Sequence, residues 1–447
     1  MQPSSGLRCF GKCMELDALD IDLKHLKYGL FAKRRFLPIF LATFLGAFND
    51  NLLRSGLVVL IAYSASKGIT LPAQPEILVT LCSALLVLPI LLFSSIAGPL
   101  ADKYEKSQLV ILTKIAELGI MLCVFYGFAT LNIYLLMVML FVSGTHTTFY
   151  SPIKFSILPD HLSNKELLAA NGFMAAGSYL AILGGLIAGG LLVEMEGNVI
   201  GGVAICIAAI GLLASLFIPK SRIANPHIEI SLNIWKGTQA MIRNATYDMQ
   251  NFRAILGLSW FLLVGSVYMS QFANYAQAVV RANNEVYVLF LLVFSVGIAF
   301  GSMICDTLLK GEISTKLTPL MAFGTALFTL LMVLATPVPV HEGLMGVSEF
   351  LSTTSHWPVL GCMLMVAVCG GIYIVPLYAF LQSQSHEKFR SRIMAASNMC
   401  DSVFMTLAAI ASAILLMLGF NILDLFLVLA TLNLVVVWYA WKFTREV

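Results

Sequence analysis

Twelve stretches of the chain stay apolar for about the 20 residues that an α-helix needs to cross a bilayer's hydrocarbon core. They are 36–63, 77–97, 108–128, 131–150, 168–193 and 197–218, then 252–276, 286–309, 316–336, 357–382, 391–417 and 421–442. This pattern predicts an all-α membrane protein with 12 transmembrane helices in two six-helix bundles. It divides the chain into a polar N-terminal tail (1–35), a first bundle (36–218), a charged inter-bundle loop (219–251) and a second bundle (252–447). Composition agrees. Apolar residues make up 59% and charged residues 11% of the chain, against about 45–50% and 25% in soluble domains. A soluble enzyme, a disordered chain and a nucleic-acid binder are thereby excluded.

Orientation follows from the basic residues, which accumulate on the cytoplasmic side. An even number of spans places both termini on one side, and 23 of the 27 Lys and Arg fall there. Only Lys67 and Arg281 fall opposite, and Arg54 and Lys114 lie inside spans. Both termini are therefore expected to be cytoplasmic. The first run is too long for a signal peptide and lacks a small-residue cleavage site. Seven of the nine cysteines lie in apolar runs, where Cys packs as a small hydrophobe. Cys9 and Cys13 have no partner pair downstream, so no metal site is expected. The sequence contains no G-x-x-x-x-G-K-[ST], HExxH or GxSxG pattern. Neither ATP binding through a P-loop, nor hydrolysis, nor a cofactor is expected.

Charges inside spans are costly and normally face a cavity or a partner. The first span carries Asn49, Asp50, Asn51 and Arg54. Asp50 and Arg54 are four apart and share a helix face, so they form either a self-neutralising pair or a cavity wall that meets a doubly charged headgroup. Lys114 and Glu117 in span three are three apart and read first as a structural ion pair. Asp401 in span eleven has no cation beside it in sequence. It is either a partner for a cation on another helix or a proton or cation site. Span seven has a polar stripe of Tyr268, Gln271, Asn274, Tyr275 and Gln277, which suits a cavity wall or an interfacial aromatic belt. The glycines of span five indicate close helix packing. Gly370, Gly371 and Pro376 mark span ten as breakable or kinked.

The loop after span two reads Gly98-Pro99-Leu100-Ala101-Asp102-Lys103-Tyr104-Glu105-Lys106. It resembles the G-x-L-A-D-[RK]-x-x-[RK] signature of the major facilitator superfamily, which lies in the same loop. A gating role is assigned to Gly98, Asp102, Lys103 and Lys106. Two longer segments are more specific: Phe44-Leu45-Gly46-Ala47-Phe48-Asn49-Asp50-Asn51, and Tyr150-Ser151-Pro152-Ile153-Lys154-Phe155-Ser156-Ile157-Leu158-Pro159. Both look like signatures of the lysophospholipid transporter family. Ser259-Trp260-Phe261, Gln271-Phe272-Ala273-Asn274-Tyr275 and Phe294-Ser295-Val296-Gly297 are similar to the form found in the transporter portion of acyltransferase/acyl-carrier-protein synthetase fusion proteins.

The resemblance implies a flippase of the bacterial cytoplasmic (inner) membrane. It would move lysophosphatidylethanolamine-type lipids from the outer to the inner leaflet for re-acylation, by alternating access. The chain ends soon after the last span, so a soluble acyltransferase/acyl-carrier-protein synthetase is expected to act in trans. Some family members carry Arg where this chain has Gln271, which shifts phosphate binding to Arg54 and Lys154. Asp50 is then assigned to an ethanolamine ammonium. Asn51, Gln271, Lys114, Glu117 and Asp401 complete the candidate substrate site. Two alternatives remain open: a proton-coupled exporter of small amphipathic drugs or metabolites acting through Asp50 or Asp401, and a non-transporting membrane anchor for an acyltransferase.

Overall fold

The computed structural model describes residues 29–62, 71, 74–195, 197–231, 233–337 and 343–446. Most of the N-terminal tail, with Cys9 and Cys13, lies outside these residues, as does Lys67. Twelve described helices are long and apolar enough to cross a bilayer. The first six are α1 (Leu37–Ala62), α2 (Pro75–Lys103), α3 (Lys106–Ala129), α4 (Ile133–Ser156), α5 (Asn164–Leu192) and α6 (Gly197–Ser215). The second six are α7 (Met249–Asn274), α8 (Asn284–Leu308), α9 (Thr318–Ala335), α10 (Trp357–Gln384), α11 (Arg390–Met417) and α12 (Ile422–Glu446). Each overlaps one apolar run. Polar residues at the ends of the runs set the helix starts. Asn132 accepts from the Leu135 amide at 3.0 Å, and Ser163 and Glu166 form a capping box at the start of α5.

The helices pack in two sets of six. In the first set α1 lies on α5 and α6, α2 on α4, and α3 on α4 and α6. In the second set α8 lies on α10, α9 on α10 and α12, and α7 on α11. The halves meet mainly through α5 with α8 and α2 with α11. By position in each half, α8 corresponds to α2 and α11 to α5, so these two contacts are swapped copies of one another. Such paired bundles are the architecture of many secondary carriers.

The glycines of α5 have the packing role expected of them. A Cβ on Gly189 would stand 2.5 Å from the Leu52 carbonyl of α1, and one on Gly172 2.5 Å from the Ser302 carbonyl of α8. Without side chains at these points α5 backs onto α1 within its own half and onto α8 across the divide. Helix α10 runs without a break from Trp357 to Gln384 with Pro376 inside it, and its glycine pair serves close packing: a Cβ on Gly370 would meet the Phe261 ring at 2.5 Å, and one on Gly371 the Ser302 amide at 2.7 Å. One expectation is corrected. The inter-bundle loop is not all loop, since it holds a helix at Ile234–Tyr247.

Candidate functional site

Helix α4 presents Ser143, Thr147, Tyr150 and Lys154 at intervals of three and four residues, which places them on one face. Ser143 and Thr147 donate to the two carboxylate oxygens of Asp50 on α1, at 2.5 and 2.7 Å. One turn-pair away, the Tyr150 hydroxyl meets that of Thr43 at 2.9 Å. These bonds fix the register of α1 against α4 and set the depth of Asp50. The self-neutralising Asp50–Arg54 pair is not formed. Asp50 is held by hydroxyls, and Arg54, one turn further on, donates to Ser83 of α2 at 3.2 Å. Sharing a helix face did not suffice, because hydroxyls on a neighbouring helix reach the carboxylate first. Asn51 bonds back to the Ala47 carbonyl of its own helix at 2.8 Å.

Beneath this face lies a second polar group. Lys114 and Glu117 pair at 2.6 Å, as their spacing predicts, and both are buried. Asn49 donates to the other Glu117 oxygen at 3.3 Å and to the Ala204 carbonyl at 3.1 Å. The Lys114 ammonium also stands 4.9 Å from the centroid of the Tyr150 ring. His146 approaches Glu117 at 3.9 Å and stacks on Tyr150. Lys114 and Glu117 therefore tie α3 to α1 and α4. Lys154 is different, because its ammonium rests over the Phe155 ring at 4.8 Å and has no ion-pair partner among the described residues.

At the end of the molecule that carries the start of α1 and the end of α12, the halves are bonded shut. Asp102 accepts from the Ser391 amide and from Arg392 Nε of α11, both at 3.0 Å. Asp160 accepts from Lys106 at 2.6 Å and from Arg390 at 3.3 Å. Ser156 and Ser391 meet through their hydroxyls at 3.0 Å. One layer deeper, Asn171 of α5 and Gln382 of α10 exchange amide hydrogen bonds at 2.7 and 2.9 Å. Phe155 stacks on Tyr378 at 4.5 Å. At Gly98 α2 comes close against α11, since a Cβ there would stand 2.9 Å from Arg392 Cα. Three of the four motif residues thus form this closure, and Lys103 makes no hydrogen bond or ion pair among the described residues.

In the second half Asp401 is buried and accepts from Ser259 of α7 at 2.6 Å. No cation pairs with it among the described residues. Gln271 accepts from Asn274 at 3.0 Å, and both sit just before α7 loosens into a π turn at Tyr275–Val279. The tyrosines of that stripe turn away from it. Tyr268 bonds Thr329 at 2.6 Å and Tyr275 bonds Thr336 at 2.7 Å, inside an aromatic core with Phe272, Phe290, Phe294 and Phe426. They form neither a cavity wall nor an interfacial belt.

Several participants had no signal in the sequence. Ser143, Thr147 and His146 are ordinary residues for a membrane helix until their partners on α1 and α3 are seen. Asp160, Asn171, Gln382, Arg390 and Arg392 act only through contacts between distant parts of the chain.

Comparison with known proteins fits this arrangement. The sequence profile of the Major Facilitator Superfamily matches residues 39–351. The chain is 26% identical over 398 residues to the lysophospholipid transporter LplT of Serratia proteamaculans (strain 568), covering 86% of this chain and 87% of that protein. It is 26% identical over 417 residues to LplT of Escherichia coli O9:H4 (strain HS), covering 91% and 95%. Among solved structures, it superposes on the human organic anion transporter MFSD10 (TETRAN) with a TM-score of 0.69 at 14% identity, covering 91% of this chain and 99% of that one. The transporter FucP in its outward conformation gives a TM-score of 0.67 at 11% identity, covering 92% and 99%. At these identities the structural likeness speaks for the fold alone.

Proposed function

The chain belongs to the major facilitator superfamily, and on that footing we propose that it is a lysophospholipid transporter working by alternating access. Relatives of that name, aligned over most of their length, support the substrate class. The observation that carries the reading is the unpaired state of Asp50, Arg54 and Lys154. An intramembrane carboxylate and two cations lie on the facing helices α1 and α4, and none of them forms an ion pair among the described residues. A zwitterionic headgroup satisfies both signs at once: Arg54 and Lys154 take the phosphate and Asp50 the ethanolamine ammonium. Asn51, Gln271 and Asp401 complete the polar lining, while Lys114 and Glu117 hold the wall in place.

The two halves, 36–218 and 252–447, are the moving units, joined by 219–251. The basic bias supports a cytoplasmic position for the bonded end in a bacterial cell, and with that end closed the substrate's access is from the outer leaflet. Lysophosphatidylethanolamine enters there and leaves to the inner leaflet once the bonds of Asp102 and Asp160 part. A soluble acyltransferase then re-acylates it. In an Arg54→Ala variant with unchanged protein level, inward flipping of lysophosphatidylethanolamine in proteoliposomes is expected to be lost. Normal flipping by that variant would refute the headgroup assignment.

A further inference from the structure

The helix at Ile234–Tyr247 has no part in the transport path described above. Its 14 residues reach about 21 Å, short of the ~30 Å needed to cross the hydrocarbon core. Asn233 caps its start by accepting from the Lys236 amide at 3.1 Å. Asp248, directly after its end, caps α7 by accepting from the Gln250 amide at 3.0 Å. One face is seated on the protein. Met241 and Ala245 are buried, and a Cβ on Gly237 would stand 3.1 Å from the Ser95 side chain of α2. The helix touches α2, α7 and α11, so it lies across both halves beside the closure. Ser95 precedes the end of α2 at Lys103 by eight residues, about 12 Å along the helix axis. It also lies two residues inside the end of the apolar run 77–97, which suits the boundary between headgroups and acyl chains.

Much of the rest of the helix surface is exposed among the described residues. Trp235 is 72% exposed and Ile242 47% exposed. They are seven residues apart and so lie in one row. Lys236 and Arg243, also exposed and seven apart, form a second row beside it. The helix contains no acidic residue. Trp favours the headgroup level of a membrane, a basic amphipathic helix lies in the plane of the interface, and juxtamembrane Lys and Arg attract anionic lipids. We propose that Ile234–Tyr247 is an interfacial helix that docks on anionic phospholipid headgroups, with Trp235 and Ile242 at the acyl boundary and Lys236 and Arg243 on the phosphates. The docked lipid then sits against the same helices, α2 and α11, that close the basic end.

The test uses the full chain in vesicles of phosphatidylcholine and phosphatidylglycerol, with bromine quenchers on the acyl chains of one lipid or the other. The emission of Trp235 is obtained by subtracting that of a Trp235→Phe variant, and matched thermal melts confirm that each variant is folded. Trp235 is expected to be quenched in both vesicles. Quenching should be roughly twofold stronger, at equal bromine content, when phosphatidylglycerol carries the quencher. That preference should vanish in a Lys236→Gln/Arg243→Gln variant and in about 1 M salt, where screening shortens to ~3 Å. Absence of quenching would overturn the proposal and leave the face to a soluble partner. Equal quenching by both lipids, unchanged in the double variant, would overturn it as well, since contact would then occur without headgroup recognition.

Discussion

Replacing Asp102 by Asn removes one charge from the bonded end while keeping the shape of the side chain. The amide oxygen of Asn can still accept from the Ser391 amide, at 3.0 Å in the native protein. What is lost is the charge-assisted bond from Arg392 Nε, also 3.0 Å, to a carboxylate that is fully buried. Hydrogen bonds to charged groups contribute about 1.5–3 kcal/mol net, which corresponds to roughly a ten- to hundredfold change in an equilibrium between closed and open forms. The Asp160 bonds to Lys106 and Arg390 are untouched, so the end should still close, only less firmly. The assay is the labelling rate of a Ser156→Cys reporter by a membrane-impermeant thiol reagent, corrected for native cysteines with the parent. Ser156 is buried in the closure and becomes reachable only when it opens. When opening is rare, the rate follows the open population. An increase of at least tenfold is expected, and an unchanged rate would refute the gating role of Asp102.

The same reporter tests the inner layer. Asn171→Leu leaves the buried Gln382 amide without its partner at a cost of about 1–3 kcal/mol and should raise labelling, whereas Asn171→Gln combined with Gln382→Asn should restore it. Lys114→Met strands the Glu117 carboxylate and should cost about 3–5 kcal/mol of stability. A clear fall in Tm should be seen, with partial recovery on adding Glu117→Gln. Gly189→Leu forces a side chain against the Leu52 carbonyl of α1, so the yield of monodisperse protein on size exclusion should collapse.

The parts of the fold that were legible in the sequence are those set by local rules. Spans were readable because the bilayer demands a fixed apolar length, and the α5 glycines because close helix approach demands small residues. The Lys114–Glu117 pair was readable from spacing, and the polar turn at 98–106 from its loop position, though not the contacts it makes. Other features depended on long-range partners. Spacing put Asp50 and Arg54 on one face but said nothing of Ser143 and Thr147, which take the carboxylate instead. The partners of Asp102 lie almost 300 residues away on α11, beyond any local pattern. The helix at Ile234–Tyr247 was hidden because its apolar residues are few and arranged by face, and a search for long apolar runs passes over it.

The central claim is that the chain moves lysophospholipid from one leaflet to the other. Purified protein in proteoliposomes, given labelled lysophosphatidylethanolamine in the outer leaflet, measures this directly, with the membrane potential, sodium gradient and proton gradient varied in turn. Saturable inward movement that requires the protein, and that Arg54→Ala abolishes, is the expected result. Failure to move the lysolipid under any gradient, with acid-driven dye efflux from the same vesicles, would contradict it.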